Sequence, residues 1–460
     1  MDKQKEYHFI GINGVGMSAL AKILSKQGYV VTGSDYSPTL NMDAFKKYGI
    51  TVYKEHNKKH ISKNQIIIIS SAISQANVEY KAAVGYGCKI VKRGDLLATI
   101  AAECKTCIAI AGTHGKTTTA SMIVAIFEQA GKNPSYFIGG FLRNKENIRF
   151  ENKDVFITEV DESDGSFLNI SANQALISNI EQDHLDYYKS KAHINDSFSI
   201  FIDNVLNKQN GQFAINLDDP NTKKIIKEYN ADRLITYAID SKEAKIKAEN
   251  IEYSWSGVSF SLLINDNIIE NITISVFGTH NVYNALAAIS VAMMNNIPLK
   301  HIIEGLSSYK GVGRRLELKY KANDIVLYDD YAHHPTEVVT TLEGVYKSFN
   351  NHRIITVFQP HRYSRLTNFF NEFSRAFDRS DQLIILPVYG AGESQGDYKT
   401  SKELVFEINK NETSAIECQS FEDVIKTLEG TLQPNDIIIL MGAGDVSLLS
   451  KEIIPIIQGR

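Results

Sequence analysis

The sequence predicts an α/β protein of three domains: a Rossmann-like N-terminal domain, a central domain with a phosphate loop and a mainly parallel sheet, and a Rossmann-like C-terminal domain. Three observations predict this fold. Short apolar runs alternate with helical stretches along nearly the whole chain. The 460 residues exceed the size at which a single core keeps growing. Glycine turns join strand to helix near residues 11 and 112. We predict domains at residues 1–104, 105–313 and 314–460.

Composition places the chain among ordinary globular proteins, with 43% hydrophobic and 22% charged residues. A net charge of −4 gives no reason to expect nucleic acid or an anionic membrane as partner. No apolar stretch approaches the length that crosses a bilayer, so we expect a cytoplasmic protein without membrane insertion. Four cysteines make no disulfide framework, and we interpret the close pair Cys104 and Cys107 as plain thiols.

The first segment alternates the strands YHFIGI, YVVTGSD and QIIIISSAI with helices at Met17–Gln27 and near Met42–Tyr48. Its opening turn, Gly11 to Gly16, reads G-x-x-G-x-G, which is not the dinucleotide order. Asp35 ends the second strand, where an acid can meet a ribose hydroxyl, and Ser70 and Ser71 follow the third. Either the turn holds the pyrophosphate of a nucleotide or nucleotide sugar, or it only packs strand against helix.

The second segment begins with a phosphate loop. The strand Ile108–Ala111 leads into Gly112-Thr113-His114-Gly115-Lys116-Thr117-Thr118, and a helical pattern follows. Glycines let backbone N–H groups converge on phosphate oxygens at a helix N-terminus. Lys116 adds a charge there, and Thr117 a hydroxyl for Mg²⁺. Because Ile110 stands where the usual motif has glycine, the loop is a shortened G-x-x-G-K-T form. The alternative is a glycine turn without a ligand.

Two further strand ends in this segment contain metal-ligand types. DVFITEV, which includes Glu159, runs into acidic residues, and ALISNI runs toward His184. Carboxyl ends of parallel strands share one edge, so both side chains are expected near Lys116 and Thr117. The alternative for the acids is a solvated turn with capping aspartates, and histidine is an unusual Mg²⁺ ligand. The segment ends with a helix that includes Asn281 and Asn284, which either read an adenine edge or cap the helix.

The third segment alternates the strands DIVLYDD, RIITVFQ, QLIILPVY and DIIILMGAGD with helices from Pro335, near Leu366–Phe377 and at the C-terminus. Residues 329–335 and 359–365 are polar clusters at two strand ends and include histidines and arginines. Guanidinium groups suit carboxylates and phosphates, so the clusters indicate an anionic small substrate, although a single Arg is more often a surface ion-pair partner. Gly311-Val312-Gly313, before Arg314, is a candidate hinge.

Eight motifs in register resemble the Mur ligases of bacterial cell-wall synthesis: GINGVGMSALA, AGTHGKTTT, TEVDESDGSF, NIEQDHLDYY, FGTHNVYNALAA, GVGRRLE, DDYAHHPTE and FQPHRYSR. The resemblance implies an ATP-dependent amide ligase that joins L-alanine to the carboxylate of UDP-N-acetylmuramate through an acyl phosphate, giving ADP and phosphate. It assigns the UDP-sugar to the first domain, ATP to the second and the amino acid to the third.

The resemblance also implies roles for individual residues. Those expected to bind ATP are Gly112, Thr113, His114, Gly115, Lys116, Thr117, Thr118, Asn281 and Asn284, with Arg314 near the hinge and Asp330 at the ribose. Those expected at the UDP-sugar are Gly14, Val15, Gly16, Asp35, Ser70, Ser71 and His184. Alanine is assigned to Tyr331, His333, Arg362 and Arg365. Thr117, Glu159 and His184 are expected to bind two Mg²⁺ ions, which Mn²⁺ could replace. The catalytic set is Lys116, Glu159, His184, His333 and Arg362.

Two other functions remain open at this stage. A ligase that attaches a preformed tripeptide to the same UDP-sugar would share the ATP site, although the first turn, GMSALA, favours alanine. A non-catalytic nucleotide sensor would keep the glycine turns but would not need Glu159, His184 and the arginines together. The expected partners are three small molecules, UDP-N-acetylmuramate, L-alanine and ATP, and the chain is expected to be a monomer or dimer.

Overall fold

The computed structural model describes residues 1–36, 42–140, 142, 146–163, 165–181, 188, 190–349, 351–410 and 413–459. The chain forms two compact units. The first contains residues 1–248, 262–269 and 283–306, and the second contains residues 249–261, 270–282 and 307–460. Three β-sheets with flanking helices confirm the predicted three-domain α/β fold. The predicted domain boundaries remain predictions.

The N-terminal sheet has five strands in the order β3-β2-β1-β4-β5, and each neighbouring pair is parallel. This order is that of a Rossmann half, with the reversal beside β1, where such folds bind ligands. The strands are β1 Glu6–Ile10, β2 Val30–Ser34, β3 Thr51–Tyr53, β4 Gln65–Ile69 and β5 Lys89–Lys92. The helices are α1 Val15–Lys26, α2 Met42–Lys46, α3 Val78–Gly85 and α4 Arg93–Ala102.

The central sheet has ten strands in the order β15-β14-β13-β12-β11-β10-β6-β9-β7-β8, and β6, β9, β10, β11 and β12 pair in parallel. The strands are β6 Thr106–Ala111, β7 Ser135–Phe137, β8 Ile148–Arg149, β9 Val155–Glu159, β10 Gln174–Ile177, β11 Gln212–Asn216, β12 Leu234–Ala238, β13 Ile246–Ser254, β14 Gly257–Ile264 and β15 Asn267–Ile274. The helices are α5 Lys116–Gln129, α6 Lys191–Leu206, α7 Pro220–Ile225, α8 Thr279–Met294 and α9 Leu299–Ser308.

The C-terminal sheet has six strands in the order β16-β17-β21-β18-β19-β20, with only the β16–β17 pair antiparallel. The strands are β16 Glu317–Ala322, β17 Ile325–Asp330, β18 Arg353–Phe358, β19 Gln382–Ile385, β20 Ala415–Glu417 and β21 Asp436–Met441. The helices are α10 Pro335–Ser348, α11 Tyr363–Asn368, α12 Phe370–Phe373, α13 Ser401–Ile408, α14 Phe421–Thr431 and α15 Ser450–Gln458. The strand DIIILM is buried throughout because helices cover both faces of a parallel sheet.

Short 3₁₀ helices complete the described elements, at Lys58–His60, Ser166–Asn169, Ile226–Glu228, Ala231–Arg233 and Asp445–Leu449. None of the described helices combines the length and the apolar character that crossing a membrane requires.

Two expected helices differ from those observed. The first helix begins at Val15 rather than Met17, with Gly14 as its N-cap. The helix expected near Leu366–Phe377 starts earlier, at Tyr363, and breaks at Phe369, whose φ of −116° and ψ of 28° interrupt the helical backbone. Apolar spacing alone continues across that break, so the sequence pattern merged two short helices into one.

A buried carboxylate supports the ligand edge of the N-terminal sheet. Glu79, at the start of α3, is fully buried, and three histidines surround it: His60 Nδ1 at 2.8 Å, His56 Nδ1 at 3.2 Å and His8 Nε2 at 3.5 Å. The Ser34 hydroxyl at the end of β2 also donates to Glu79. Burial raises the pKa of Glu79, but hydrogen bonds from these groups outweigh it and hold the pKa well below 4.5.

We expect Glu79→Gln to lower the free energy of unfolding at pH 7 by about 3 kcal/mol, because it removes the charged centre of a buried network. Because its folded-state pKa is lowered, Glu79 stabilises the fold above pH 4.5 and loses that effect as the pH falls below it. Urea unfolding of both proteins from pH 7 to pH 3 measures the difference, which should shrink in acid. Glu103→Gln, which removes a surface pair with Lys153, is the control and should cost under about 1 kcal/mol. A pH-independent difference would contradict this account.

Candidate active site

The phosphate loop has the strand, turn and helix that the motif requires. β6 ends at Ala111, and α5 begins at Lys116. Gly112 and Gly115 have φ values of 124° and 83°, a region that favours glycine. A Cβ on Gly112 would lie 2.2 Å from Ser178 Oγ, and one on Gly115 would lie 2.5 Å from Asn284 Oδ1. Both positions therefore require glycine for conformation and for space.

Residues after β10 hold this loop, and the sequence analysis did not single them out. The Asn179 carbonyl accepts from Thr113 N at 3.1 Å, and Asn179 Oδ1 accepts from His114 N at 2.9 Å. Ser178 Oγ donates to His114 O at 2.6 Å. Since β10 pairs directly with β6, the Ser-Asn pair after ALI was the available signal.

Lys116 is half-buried and paired in the described structure. Its Nζ donates to Glu162 Oε1 and Oε2 at 2.8 and 2.9 Å, and to the Gly112 carbonyl at 2.5 Å. Burial alone lowers the pKa of an ammonium group, but the Glu162 carboxylate outweighs burial and raises the pKa of Lys116. The ammonium is therefore charged and fixed beside the loop, where it can meet phosphate oxygens.

Oxygen ligands for a divalent cation meet beside the loop. Thr117 Oγ1 donates to Glu159 Oε2 at 2.9 Å, and Gly139 N donates to Glu159 Oε1 at 2.7 Å. A hydroxyl and a carboxylate in contact next to a phosphate loop fit Mg²⁺, which prefers hard oxygen ligands. Thr118 lies half-buried in the first turn of α5. His184, the third expected ligand, lies outside the described residues.

The glycine turn of the first domain is anchored on β2. Gly11 N and Ile12 N donate to Ser34 O at 2.8 and 3.1 Å, and Asn13 N donates to Asp35 Oδ2 at 2.9 Å. Asp35 was expected to bind a ribose, and the structure shows it holding the glycine turn. Ribose binding by Asp35 remains a prediction. Gly14 caps α1, Val15 is exposed, and Gly16 lies in the first turn, which contains no acidic residue.

Ser70 and Ser71 directly follow β4, the neighbour of β1 in the sheet. Ser70 O accepts from Ile73 N at 3.2 Å, and the Ile73 side chain lies against Gly11. The two serines therefore reach the same sheet edge as the glycine turn, as expected.

A cavity of about 180 Å³ connects the first domain to the phosphate loop. Its polar lining includes Arg93, Lys116, Glu159 and Asp161. Arg93 Nη2 donates to Asp161 Oδ2 at 2.6 Å. Burial raises the pKa of Asp161, but hydrogen bonds from Ser163 and the Arg93 charge hold it at about 2. The sequence analysis did not single out Arg93, because it stands outside the glycine motifs.

In the second unit, the Asp330 carboxylate accepts hydrogen bonds from two backbone N–H groups. Its Oδ1 accepts from Ala332 N at 2.8 Å and its Oδ2 from Leu316 N at 2.6 Å. The guanidinium groups of Arg314 and Arg315 lie 5.0 and 5.5 Å from the centre of the Tyr331 ring. Arg314 also donates to Gly442 O at 2.6 Å. Both Asp330 and Arg314 thus have structural partners, and their contact with ATP remains a prediction.

His333 is held as a neutral imidazole. Its Nδ1 lies 2.9 Å from Tyr331 O, a contact in which Nδ1 donates, and its ring is 5.9 Å from the His361 ring. Burial lowers the pKa of His333 to about 4, although the Glu337 carboxylate opposes the shift. The pKa of His361 is likewise lowered to about 4, by burial and by neighbouring His333. At neutral pH, His333 is therefore uncharged, and its Nε2 is a hydrogen-bond acceptor.

Arg362 has an unusual backbone conformation, with φ 67° and ψ 130° before α11. A non-glycine residue there costs on the order of 1–3 kcal/mol, and such strain clusters at functional sites. Its N–H donates to Tyr389 O at 2.8 Å, and Arg365 Nη1 lies 3.4 Å from His361 Nδ1. Tyr331 and His333 follow β17, and Arg362 and Arg365 follow β18. The two strand ends were expected to be neighbours, but β21 lies between them in the sheet.

The two asparagines of α8 have different surroundings. Asn281 Nδ2 donates to Phe277 O at 2.7 Å and lies 3.1 Å from His280 Nε2. Asn284 Oδ1 accepts from Thr119 Oγ1 at 3.1 Å and so joins α8 to α5 behind the phosphate loop. Asn281 thus bonds to the backbone just before its helix, and adenine contact remains a prediction for both asparagines.

Models of one family cover nearly the whole chain. They are described as the Mur ligase family catalytic domain, the Mur ligase middle domain and the Mur ligase glutamate ligase domain, and they match residues 6–105, 110–292 and 314–444. The relatives include a UDP-N-acetylmuramate–L-alanine ligase of Desulforapulum autotrophicum, which is 37% identical over 99% of both chains. The chain belongs to the Mur ligase family. The resemblance in its sequence motifs is thereby confirmed.

This Mur ligase has further close relatives. A UDP-N-acetylmuramate–L-alanine ligase of Clostridium acetobutylicum is 38% identical over 97% of this chain and 96% of its own. The crystal structure of the UDP-N-acetylmuramate–alanine ligase of Thermotoga maritima has a TM-score of 0.84 at 26% identity, covering 99% of both chains. A murein peptide ligase of Psychrobacter arcticus has a TM-score of 0.72 at 23% identity over 99% of both chains, which shows a shared fold alone.

Proposed function

We infer that this protein is an ATP-dependent ligase that forms the amide between L-alanine and the carboxylate of UDP-N-acetylmuramate, producing ADP and phosphate for peptidoglycan synthesis. One observation supports this above all others. The phosphate loop lies beside Glu159 in a chain that is 37% identical, over 99% of its length, to a ligase of that name.

We propose that the reaction proceeds through an acyl phosphate. A carboxylate is a poor acceptor for an amine, so the γ-phosphoryl group of ATP first moves to a carboxylate oxygen. The amine of alanine then attacks the acyl carbon, the C–O bond to phosphate breaks, and phosphate leaves with the electron pair. Carboxylate and triphosphate repel each other, so catalysis depends on positioning and on fixed positive charge.

The residues of the first unit fit this task. Lys116, charged and fixed at the loop, meets the phosphate oxygens, and the N–H groups of residues 115–118, at the N-terminus of α5, bind the remaining phosphates. Thr117 and Glu159 would hold Mg²⁺, which supplies further neutralisation of phosphate charge. A second ion at Glu159 and His184, and the use of Mn²⁺, are proposed on the family resemblance.

The residues of the second unit are proposed to bind alanine. Arg362 and Arg365 suit its carboxylate, since a guanidinium fork matches carboxylate geometry. His333 is neutral at pH 7 because its pKa is about 4, and its Nδ1–H is directed to Tyr331 O. Nε2 is therefore the acceptor atom of the ring, and it can accept a hydrogen bond from the amine of alanine during attack.

The remaining assignments are proposed on the resemblance and on position at the sheet edges. Asn281, Asn284, Arg314 and Asp330 serve ATP, while Gly14, Val15, Gly16, Asp35, Ser70, Ser71 and His184 serve the UDP-sugar. We propose that residues 1–104, 105–313 and 314–460 act as the UDP-sugar, ATP and amino-acid domains. We propose a cytoplasmic location, since the three substrates are small polar molecules. We also propose that the protein is a monomer or dimer.

The proposal is tested by measuring phosphate release from Mg²⁺-ATP with UDP-N-acetylmuramate and with L-alanine, a preformed tripeptide or neither added. Release that requires L-alanine is the expected result. Release only with the tripeptide would assign the protein to the recycling reaction, and no release in any mixture would contradict a ligase function.

A further inference from the structure

We infer that Arg93 binds the carboxylate of the acyl substrate, between the first domain and the phosphate loop. This inference rests on the proposed function, because it assigns a binding residue to the carboxylate that becomes the amide. The observations that support it are the position of the Arg93 side chain, the charges that line its cavity and the apolar wall opposite.

Close packing fixes Arg93 against both neighbouring elements. A Cβ on Gly16 would lie 2.8 Å from Arg93 Nη1, so the guanidinium lies against the first turn of α1. A Cβ on Gly94 would lie 2.3 Å from Ser166 Cβ, so the start of α4 contacts the 3₁₀ helix after β9. Arg93 therefore has a defined place between the glycine turn and the carboxyl end of β9.

The charges around the cavity leave one cation for a substrate anion. Among the described residues that line it, Arg93 and Lys116 are the cations, and Glu159 and Asp161 are the acids. Lys116 already faces the phosphate loop through Gly112 O and Glu162, and Glu159 lies against Thr117. Arg93 is the cation that lies away from the loop, with 27% of its side chain exposed.

The rest of the cavity suits a carboxylate attached to an apolar group. Leu97, Phe137, Val160, Phe167 and Ile170 form the apolar part of the lining. The acyl group of UDP-N-acetylmuramate is a lactyl ether, in which a methyl group stands beside the carboxylate. The diphosphate of the same substrate has no apolar neighbour of this kind. A guanidinium beside apolar side chains also binds an anion more strongly than one in water.

Asp161 pairs with one edge of the Arg93 guanidinium. Arg93 Nη2 lies 2.6 Å from Asp161 Oδ2, while Asp161 Oδ1 accepts from Ser163 N at 3.0 Å. A guanidinium has five N–H donors, so a substrate carboxylate can bind Arg93 while the Asp161 pair persists. Asp161 then orients the guanidinium toward the cavity and keeps it beside β9.

The test compares two UDP-sugars that differ in the carboxylate. Binding of UDP-N-acetylmuramate and of UDP-N-acetylglucosamine, which lacks the lactyl group, is measured by calorimetry with Mg²⁺ and a non-hydrolysable ATP analogue. We expect Arg93→Gln to weaken UDP-N-acetylmuramate binding by about 10- to 100-fold and to change UDP-N-acetylglucosamine binding less than about threefold. Arg93→Lys, which keeps the charge but loses the fork, should give an intermediate loss.

Arg149→Gln is the matched control, because Arg149 is also partly buried in the first unit and pairs with Glu128 at 2.9 Å. It should leave both affinities unchanged. Equal weakening of the two sugars by Arg93→Gln would indicate diphosphate binding or a structural role and would overturn the inference, as would no effect on either. A wild-type protein that binds neither sugar would instead overturn the proposed function.

Discussion

Lys116→Ala should reduce the rate of L-alanine-dependent phosphate release by at least about 10³-fold. Lys116 is the cation that the structure fixes at the phosphate loop, with Nζ 2.8 Å from Glu162 and 2.5 Å from Gly112 O. Its loss removes charge stabilisation where the γ-phosphoryl group moves. The affinity for UDP-N-acetylmuramate should change by less than about threefold, because the proposed UDP-sugar contacts lie on the first domain.

The substitution also removes the Lys116 cation from the buried Glu162 carboxylate, and breaking such an ion pair costs about 3 kcal/mol. A double variant, Lys116→Met with Glu162→Gln, removes both charges and separates catalysis from folding. It should unfold at nearly the wild-type urea concentration and still release no phosphate. Near-wild-type activity in either folded variant would contradict the role of Lys116. Loss of UDP-sugar binding in the double variant would show that the two sites are misplaced.

Glu159→Gln should raise the Mg²⁺ concentration needed for half-maximal rate by at least about tenfold and lower the maximal rate by about 10²-fold. The amide keeps an oxygen to accept from Thr117 Oγ1 or Gly139 N, which lie 2.9 and 2.7 Å from the carboxylate. The protein should therefore fold normally while the proposed Mg²⁺ ligand loses its charge. Rates measured across a Mg²⁺ titration, at saturating ATP and both substrates, give the two values.

Glu128→Gln is the control for this substitution. Glu128 lies in the last turn of α5, at the end of the helix opposite to the phosphate loop, and pairs with Arg149. Its loss should leave the Mg²⁺ dependence unchanged. An unchanged Mg²⁺ dependence in Glu159→Gln would mean that the cation is held elsewhere.

The sequence predicted the features that depend on local pattern. The phosphate loop was readable because glycine, lysine and threonine must stand at fixed offsets between a strand and a helix. The contact of Thr117 with Glu159 was predictable in outline, since both follow neighbouring parallel strands, β6 and β9. His333 and Arg362 also follow parallel strands, β17 and β18, but β21 lies between these two strands.

Features that depend on distant packing were not predictable. Arg93 lies in no motif, and its importance emerges only when α4 packs against the 3₁₀ helix that follows β9. The pairing of Lys116 with Glu162 joins residues 46 positions apart. Strands β14 and β15 were also missed, although the turn between them, Asn265-Asp266, has positive φ at both residues, as type I′ hairpin turns do. Asn and Asp between two alternating runs were the signal there.

Several polar residues near strand ends that were predicted to bind ligands make hydrogen bonds within the protein. Asp330 accepts two backbone N–H groups, and Asp35 holds the glycine turn through Asn13 N. Asn284 joins two helices. A side chain that holds a turn and one that binds a ligand have the same chemistry, so sequence alone does not separate them.

The most direct test of the account follows the oxygen atoms of the substrate carboxylate. UDP-N-acetylmuramate labelled with ¹⁸O in that carboxylate is incubated with the protein, Mg²⁺-ATP and L-alanine, and the products are analysed by mass spectrometry. The account predicts UDP-N-acetylmuramoyl-L-alanine with one ¹⁸O in its new amide and phosphate with the other, both formed only when L-alanine is present. Unlabelled phosphate, or phosphate release without the amide product, would contradict ligation through an acyl phosphate.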